Sequence, residues 1–480
     1  MAPLGSSPAP SLHARVPFHP PRREQDDTPL SVEGELPSWL HGDLVRTCPA
    51  LFEKGPWRAR HLFDGLGMLY AFTVADGTVR YRNRMLRGQQ WARIEAGRGW
   101  HASWADGPQR SWLRRIVQPL PPSTDNANVN VCRVGDDYVA MTETPHQLRF
   151  DPRTLQTLGP KRYEDELGPG VGMIAHPHLD RRDRSLVSVA TEMGARSSLI
   201  LYRVGPDGRR REVVARREFT ELPYVHDFGL TQDHALLILH PWRVRPPSML
   251  WSQRGIVDHF HWDAERPTAI AVIDRRNGSW REVEVPGDPF FVFHVANAFA
   301  RPDGELVLDL LAYPDPGVVE ALRIDALLAH FSPAAQLERV RIAADGTSCT
   351  RERLVDSPFE FPTIDYRRRS GRPYRYCWGA QDEGGERWLG EVLKVDTHHG
   401  EVTRYQRPGW NLGEPLFVPR DRSDERDDAE DDGVLLTVAS DLVNDRAELV
   451  VLDARTLEPR ATAAVDDAIP IGFHGQFFSR

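Results

Sequence analysis

The sequence predicts an all-β protein and, among all-β folds, a seven-bladed β-propeller. Three observations carry this: a hairpin pattern that occurs seven times in 480 residues, a spacing between hairpins that suits blades, and a scarcity of long amphipathic helices. Each hairpin is a short apolar or alternating run, a turn of Asp, Gly, Pro or Asn, and a second, more polar run.

In chain order the hairpins are MLYAFTVADGTVRYRNR around Phe72, QLRFDPRTLQTL around Phe150, LILYRVGPDGRRREVV around Tyr202, AIAVIDRRNGSWREVEV around Ile273, ERVRIAADGTSCTRERL around Ile342, GEVLKVDTHHGEVTRY around Val395 and ELVVLDARTLEPRAT around Leu452. They recur every 50 to 80 residues or so, whereas a four-stranded blade needs about 40 to 50, which leaves room for inserted loops. A WD-type scaffold is the competing propeller, but Trp262-Asp263 is the sole WD dipeptide and the spacing is irregular. The clearest helix is VVEALRIDALLAHF, Val318 to Phe331, with Val319, Leu322, Ile324, Leu327, Leu328 and Phe331 largely on one face.

Hydrophobic residues at 40% and charged residues at 27% place the chain among globular proteins and exclude general disorder. A net charge of -9 argues against nucleic acid as a partner, because no basic surplus exists to displace phosphate counterions. Three lysines stand against 57 arginines, the mark of a GC-rich and bacterial coding sequence, so arginine abundance is no functional signal. Cys48, Cys132, Cys349 and Cys377 are too scattered for a disulfide framework or a cysteine zinc site, which suits a reducing cytoplasm.

Residues 1–28 read as a flexible N-terminal arm without a signal-peptide core, and 29–480 as a single propeller domain. Nowhere do 18 consecutive apolar residues occur, so nothing reads as a membrane span. Two segments mix tryptophan with arginine, Trp100 to Pro121 and Pro241 to Trp262. Either they touch a membrane surface peripherally, or they are loops with partly buried tryptophans and solvated arginines. Arg420 to Gly433 carries both charge signs and reads as a mobile loop without a role.

Four histidines lie in or beside apolar runs: His176 in IAHPHLD, His226 in YVHDFGL, His294 in FVFHVANAF and His474 in GFHGQFF. Their spacing matches no local metal motif, so each is a metal ligand or a buried histidine bonded to a carbonyl. A propeller favours the first reading, because inner strands of distant blades converge on one axis. A ligating imidazole then needs a partner for its other N–H. Glu143 in AMTETPH, Glu360 in PFEFPTI and Glu414 in NLGEPLF sit in apolar settings, where an unpaired carboxylate would be costly.

The motifs RHLFDGLGMLYAF, DNANVNVCRVGDDYVAMTETP, IAHPHLD, YVHDFGLT, FHVANAF, EFPTIDYRRRSGRPYRYCWG, GEPLFVPR and GFHGQFF follow the order and approximate spacing of the carotenoid cleavage oxygenase family, which the chain resembles from about residue 30 to its end. TDNANVNV, TETP and RPYRYCWG are most similar to the animal-type branch, which includes beta-carotene oxygenases and the retinal pigment epithelium isomerohydrolase.

The resemblance implies a helical and loop cap over an axial non-haem iron, Fe(2+), with His176, His226, His294 and His474 as ligands. It implies Glu143, Glu360 and Glu414 as acceptors for His226, His294 and His474 respectively, and it puts Val129 and Thr142 near the open coordination position. Four neutral imidazoles leave the metal its full charge and up to two free positions, and the outer carboxylates raise imidazole basicity. The implied activity is a dioxygenase that splits a carbon-carbon double bond of a carotenoid or apocarotenoid with O2 into aldehyde or ketone products, retinal among them.

Cys48, Leu62 and Ala300 depart from the family's usual glycine, tryptophan and acidic residue, and none is an expected ligand. The cysteine-bearing membrane loop of the animal branch is missing, which counts against tight membrane attachment. Thr142 stands where stilbene-cleaving relatives resemble one another in having lysine, which disfavours a hydroxystilbene substrate. Three rivals remain: an iron-dependent retinoid isomerohydrolase that consumes no oxygen, a stilbene-type dioxygenase, and a metal-free propeller scaffold.

Overall fold

Each of the seven hairpins forms, and each is the outer part of a separate antiparallel sheet. In the first, Leu66–Ala75 and Thr78–Met85 are joined by Asp76 and Gly77 at φ 49° and 73°, the two left-handed positions that a tight hairpin turn requires. The computed structural model describes residues 20–480 except 100–102, 106, 108–111, 118–121, 166, 169, 195, 330–334, 382–388, 421–429 and 442–443.

The seven sheets are the blades of a propeller. Their innermost strands are Gly475–Ser479 in blade 1, Asn130–Val134 in blade 2, Gly172–Met173 with His178–Leu179 in blade 3, Phe228–Leu230 in blade 4, Phe291–Ala300 in blade 5, Glu360–Thr363 in blade 6, and Trp410–Leu412 with Leu416–Pro419 in blade 7. Neighbouring inner strands lie side by side, as Phe228–Leu230, Phe291–Ala300 and Glu360–Thr363 do. The C-terminal strand pairs with Gly42–Leu51, so the two ends of the chain close the ring within blade 1.

Burial follows position in the blade. Leu306–Tyr313, a middle strand of blade 5, is buried throughout, and its one carboxylate, Asp309, is held by Arg339 at 2.7 Å through both oxygens and by the Tyr374 hydroxyl at 2.7 Å. The outermost strand Glu401–Gln406 is instead exposed at four positions and half-buried only at Val402 and Tyr405.

Two expectations are corrected. The arm expected over 1–28 ends earlier: Gln25–Leu30 pairs with Thr78–Met85, and the Arg22 N–H donates to both oxygens of Asp467 at 3.0 Å. Residues 1–19 of the expected arm lie outside the described residues. The single helix expected over Val318 to Phe331 is two short ones, Gly317–Ala321 and Ile324–Ala329, with Phe331 outside the described residues. The backbone between them bonds elsewhere, Leu62 N–H to Leu322 C=O at 2.9 Å and Ile324 N–H to Arg60 C=O at 2.8 Å.

These helices, the strands Leu222–Pro223, Trp242–Val244 and Phe260–Trp262, and the segment around Trp104 form a cap. Aromatic contacts bind it together: Trp104 to Tyr224, Tyr224 to Trp242, and Trp242 to Phe260 have ring centroids 6.1, 5.1 and 4.5 Å apart.

Candidate metal centre

Every blade sends one of seven expected residues to the axis. The histidines come from blades 3, 4, 5 and 1, and Glu143, Glu360 and Glu414 from blades 2, 6 and 7. Each histidine occupies a break in regular pairing. His176 lies between the two short inner strands of blade 3, where the Asn130 amide donates to the Ala175 carbonyl at 2.8 Å. His294 sits where the register of Phe291–Ala300 slips against its neighbour, a bulge that turns the ring to the axis. The backbone of His474 is tied on both sides, its N–H to Val129 C=O at 3.1 Å and its C=O to the Thr47 N–H at 3.2 Å.

One ring nitrogen of each histidine converges, all four within 4.8 Å of one another. Three rings are fixed from behind. The His226 Nδ1–H meets Glu143, the His294 Nδ1–H donates to Glu360 at 2.5 Å, and the His474 Nδ1–H donates to Glu414 at 2.7 Å. Each carboxylate is held in turn: Glu143 by the Tyr224 hydroxyl at 2.9 Å, Glu360 by the Tyr313 hydroxyl at 2.6 Å, Glu414 by Arg46 at 2.9 Å.

Phe361 adopts φ 54°, a strained setting for an aromatic residue, and folds its N–H onto Glu360 at 2.9 Å. Its ring then faces those of His294 and His474, each 5.4 Å away.

The electrostatics call for a cation. With the Nδ1–H groups of His226, His294 and His474 directed at carboxylates, those neutral rings present Nε2 lone pairs to the centre, and the Nε2 atoms of His294 and His474 are 3.1 Å apart, while the His176 Nε2 lies 3.1 Å from that of His226. Two acceptors that close repel unless positive charge lies beside them. Burial and neighbouring imidazoles hold His176 and His474 well below the usual imidazole value. Burial also opposes charge on His294, yet Glu360 raises it above that value, the same demand met by a proton. These donors fit a metal ion that accepts imidazole nitrogen.

The retinal pigment epithelial membrane protein family matches the chain over residues 18–479. A carotenoid isomerooxygenase of Galleria mellonella is 30% identical, over 94% of this chain and 93% of its own length. The chain belongs to the carotenoid cleavage oxygenase family.

An apocarotenoid-15,15'-oxygenase of Synechocystis sp. is 29% identical over 93% of this chain and 92% of its own. The structure of cobalt-substituted Synechocystis apocarotenoid oxygenase superposes with a TM-score of 0.86 at 27% identity, covering 98% of this chain and 99% of that one.

Within this carotenoid cleavage oxygenase the family departures are absorbed without touching the centre. Cys48 and Leu62 are fully buried in the core, and Ala300 is exposed at the end of its strand. Val129 and Thr142 are both buried, Val129 bonded through its backbone to His474 and Thr142 adjoining Glu143. Sequence reasoning missed Tyr224, Tyr313, Arg46 and Asp227. Tyr224 alone carried a signal, since it lies two residues before His226 and so on the same side of an extended segment.

A fifth histidine ties the site to the cap. The His240 Nδ1–H donates to Tyr224 C=O at 3.0 Å while Nε2 accepts the Val292 N–H at 3.1 Å, a pair of bonds only the neutral ring makes. Burial lowers its pKa to about 3. The unfolded chain takes up this proton near pH 6.5 and the folded chain does not, so the stability it supports is complete above about 6.5 and is lost as pH falls toward 3. The slope for one such group is about 1.4 kcal/mol per pH unit. His240→Asn is expected to flatten the dependence of unfolding midpoint on pH between 7 and 5, read by urea titration at about half-unit steps; an unchanged slope would contradict this assignment.

Proposed function

We propose that the chain binds Fe(2+) through His176, His226, His294 and His474 and cleaves one carbon-carbon double bond of a carotenoid or apocarotenoid with O2. One alkene and one O2 then yield two carbonyl compounds, retinal among them. The observation that carries the reading is the convergence of four imidazoles, three fixed by buried carboxylates. Relatives named as a beta,beta-carotene dioxygenase and an apocarotenoid oxygenase support the substrate class.

Bound iron would supply an oxygen-binding, electron-donating centre. The protein supplies the rest. Glu143, Glu360 and Glu414 hold their rings in the tautomer that leaves Nε2 free, and the carboxylates offset part of the metal's charge. Phe293 lies 4.9 Å from the His226 ring, and Phe63 lies 6.3 Å from Phe293 and 5.2 Å from Phe473, aromatic walls suited to a polyene and hostile to water.

Incubation with beta-carotene and with beta-apo-8'-carotenal, followed by chromatography, tests the reading; an aldehyde from either is expected. Conversion of a retinyl ester to a retinoid alcohol without oxygen uptake would replace it by the isomerohydrolase. Cleavage of hydroxystilbenes alone would replace it by the stilbene-type enzyme, which Thr142 disfavours.

The setting proposed is cytoplasmic with peripheral membrane contact and no nucleic acid. No helix among the described residues is long and apolar enough to cross a membrane. In the short helix Trp112–Val117, however, Leu113, Ile116 and Val117 are 58, 63 and 86% exposed. Ile116→Glu with Val117→Glu is expected to reduce co-sedimentation with phospholipid vesicles severalfold while leaving iron content unchanged, each buried methylene being worth about 0.8 kcal/mol. Equal sedimentation of the two proteins would count against this contact.

A further inference from the structure

Asp227 is buried beside the metal centre without touching any of its four histidines' converging nitrogens. Its carboxylate gathers three parts of the chain. Oδ1 accepts the Phe228 N–H at 2.7 Å and the His178 Nε2–H at 3.1 Å, and Oδ2 accepts the Val295 N–H at 2.9 Å. Asp227 follows His226 directly, Val295 follows His294 directly, and His178 lies two residues after His176. One carboxylate therefore fastens the backbone at two histidines and a side chain close to a third, drawn from blades 3, 4 and 5.

We infer that Asp227, with His178, is the positioning residue that holds the segments of His176, His226 and His294 at a fixed separation, so that three of four ligands approach one ion together. The inference rests on the metal reading above. Two features of the site make this job necessary. The Nδ1 of His176 meets no carboxylate among the described residues, so its ring lacks the outer anchor that Glu143, Glu360 and Glu414 give the others. The segment of His294 is irregular, its register slipping on both sides of Val295, so the sheet ladder alone does not fix that ring's depth.

The Val295 bond to Asp227 replaces the missing ladder contact, and the His178 bond gives the His176 segment a second tether beside Asn130. The His178 ring also packs edge-on against Phe228 at 4.6 Å, which keeps its Nε2–H aimed at the carboxylate.

Asp227→Asn preserves size but sets an amide NH2 against an N–H donor, either at Val295 or at the Phe228 and His178 pair. The test uses the purified full chain, stripped of metal and titrated with Co(2+) alone against a chelator, with the visible absorption spectrum recorded at saturation. Asp227→Asn is expected to bind Co(2+) about 10–100-fold more weakly, the range for loss of an outer partner, and to show a shifted ligand-field spectrum. His178→Phe leaves the two backbone donors in place and is expected to lose about tenfold, the lower end of that range; it decides the matter if Asp227→Asn fails to fold. Asp309→Asn, at another buried carboxylate bound by Arg339 and Tyr374, is expected to lower stability while its folded fraction keeps the wild-type spectrum and affinity. Wild-type affinity and spectrum in both Asp227→Asn and His178→Phe would overturn the inference alone. A wild type that takes up no Co(2+) would sink the metal reading and this inference with it.

Discussion

Replacing His226 by alanine is expected to abolish stoichiometric iron binding and to lower polyene cleavage by more than about 100-fold, beyond the range produced by loss of an outer partner. The fold is expected to survive the change. Glu143, which loses its imidazole, still accepts the Tyr224 hydroxyl through both oxygens, at 3.0 and 2.9 Å, so no buried carboxylate is stranded. Three imidazoles remain, one of them, His176, without a carboxylate behind it among the described residues. Metal analysis of anaerobically purified wild type and His226→Ala, beside their far-ultraviolet circular dichroism, checks the expectation. A variant that keeps its iron would return His226 to the core as an ordinary buried histidine.

Arg46→Met is expected to lower stability by about 3–5 kcal/mol, the cost of breaking a buried ion pair from one side. Arg46 is 1% exposed and makes three bonds at the axis: to Glu414 Oε2 at 2.9 Å, to the Glu414 carbonyl at 2.9 Å and to the Phe473 carbonyl at 3.0 Å. Burial pushes the Glu414 carboxyl up to about 7 even with the guanidinium beside it. Without Arg46 that carboxyl takes up a proton at neutral pH and becomes a poorer acceptor for the His474 Nδ1–H. Denaturant unfolding of Arg46→Met, Glu414→Gln and the double variant checks this. The double variant is expected to lose much less than the sum of the single losses, because Glu414→Gln removes the carboxyl that Arg46→Met leaves unpaired. Strict additivity would mean that the two residues do not act as a pair.

The seven hairpins were legible because their turns and period-two runs are local, and all seven became outer blade strands. The four histidines and three glutamates stood out as polar residues in apolar runs, and the resemblance paired them. What held those glutamates was not legible. Arg46 reaches Glu414 across 368 residues and was one of 57 arginines, so neither neighbourhood nor composition marked it. Tyr313 meets Glu360 only because blades 5 and 6 pack together. Asp227 adjoins His226 in the sequence, but adjacency says nothing of its partners at Val295 and His178, which come from other blades. The apolar stripe over Val318 to Phe331 predicts one helix, but backbone groups at Leu322 and Ile324 bond to Leu62 and Arg60 instead, which divides it.

The most direct test of the central claim is cleavage of beta-apo-8'-carotenal by the iron-loaded protein under labelled dioxygen, with rapid reduction of the products and mass spectrometry of both fragments. Label in the new oxygen of each fragment is the predicted result, since both atoms come from one O2. Iron-loaded protein that yields no cleavage product, or products whose new oxygens come from water, would contradict it.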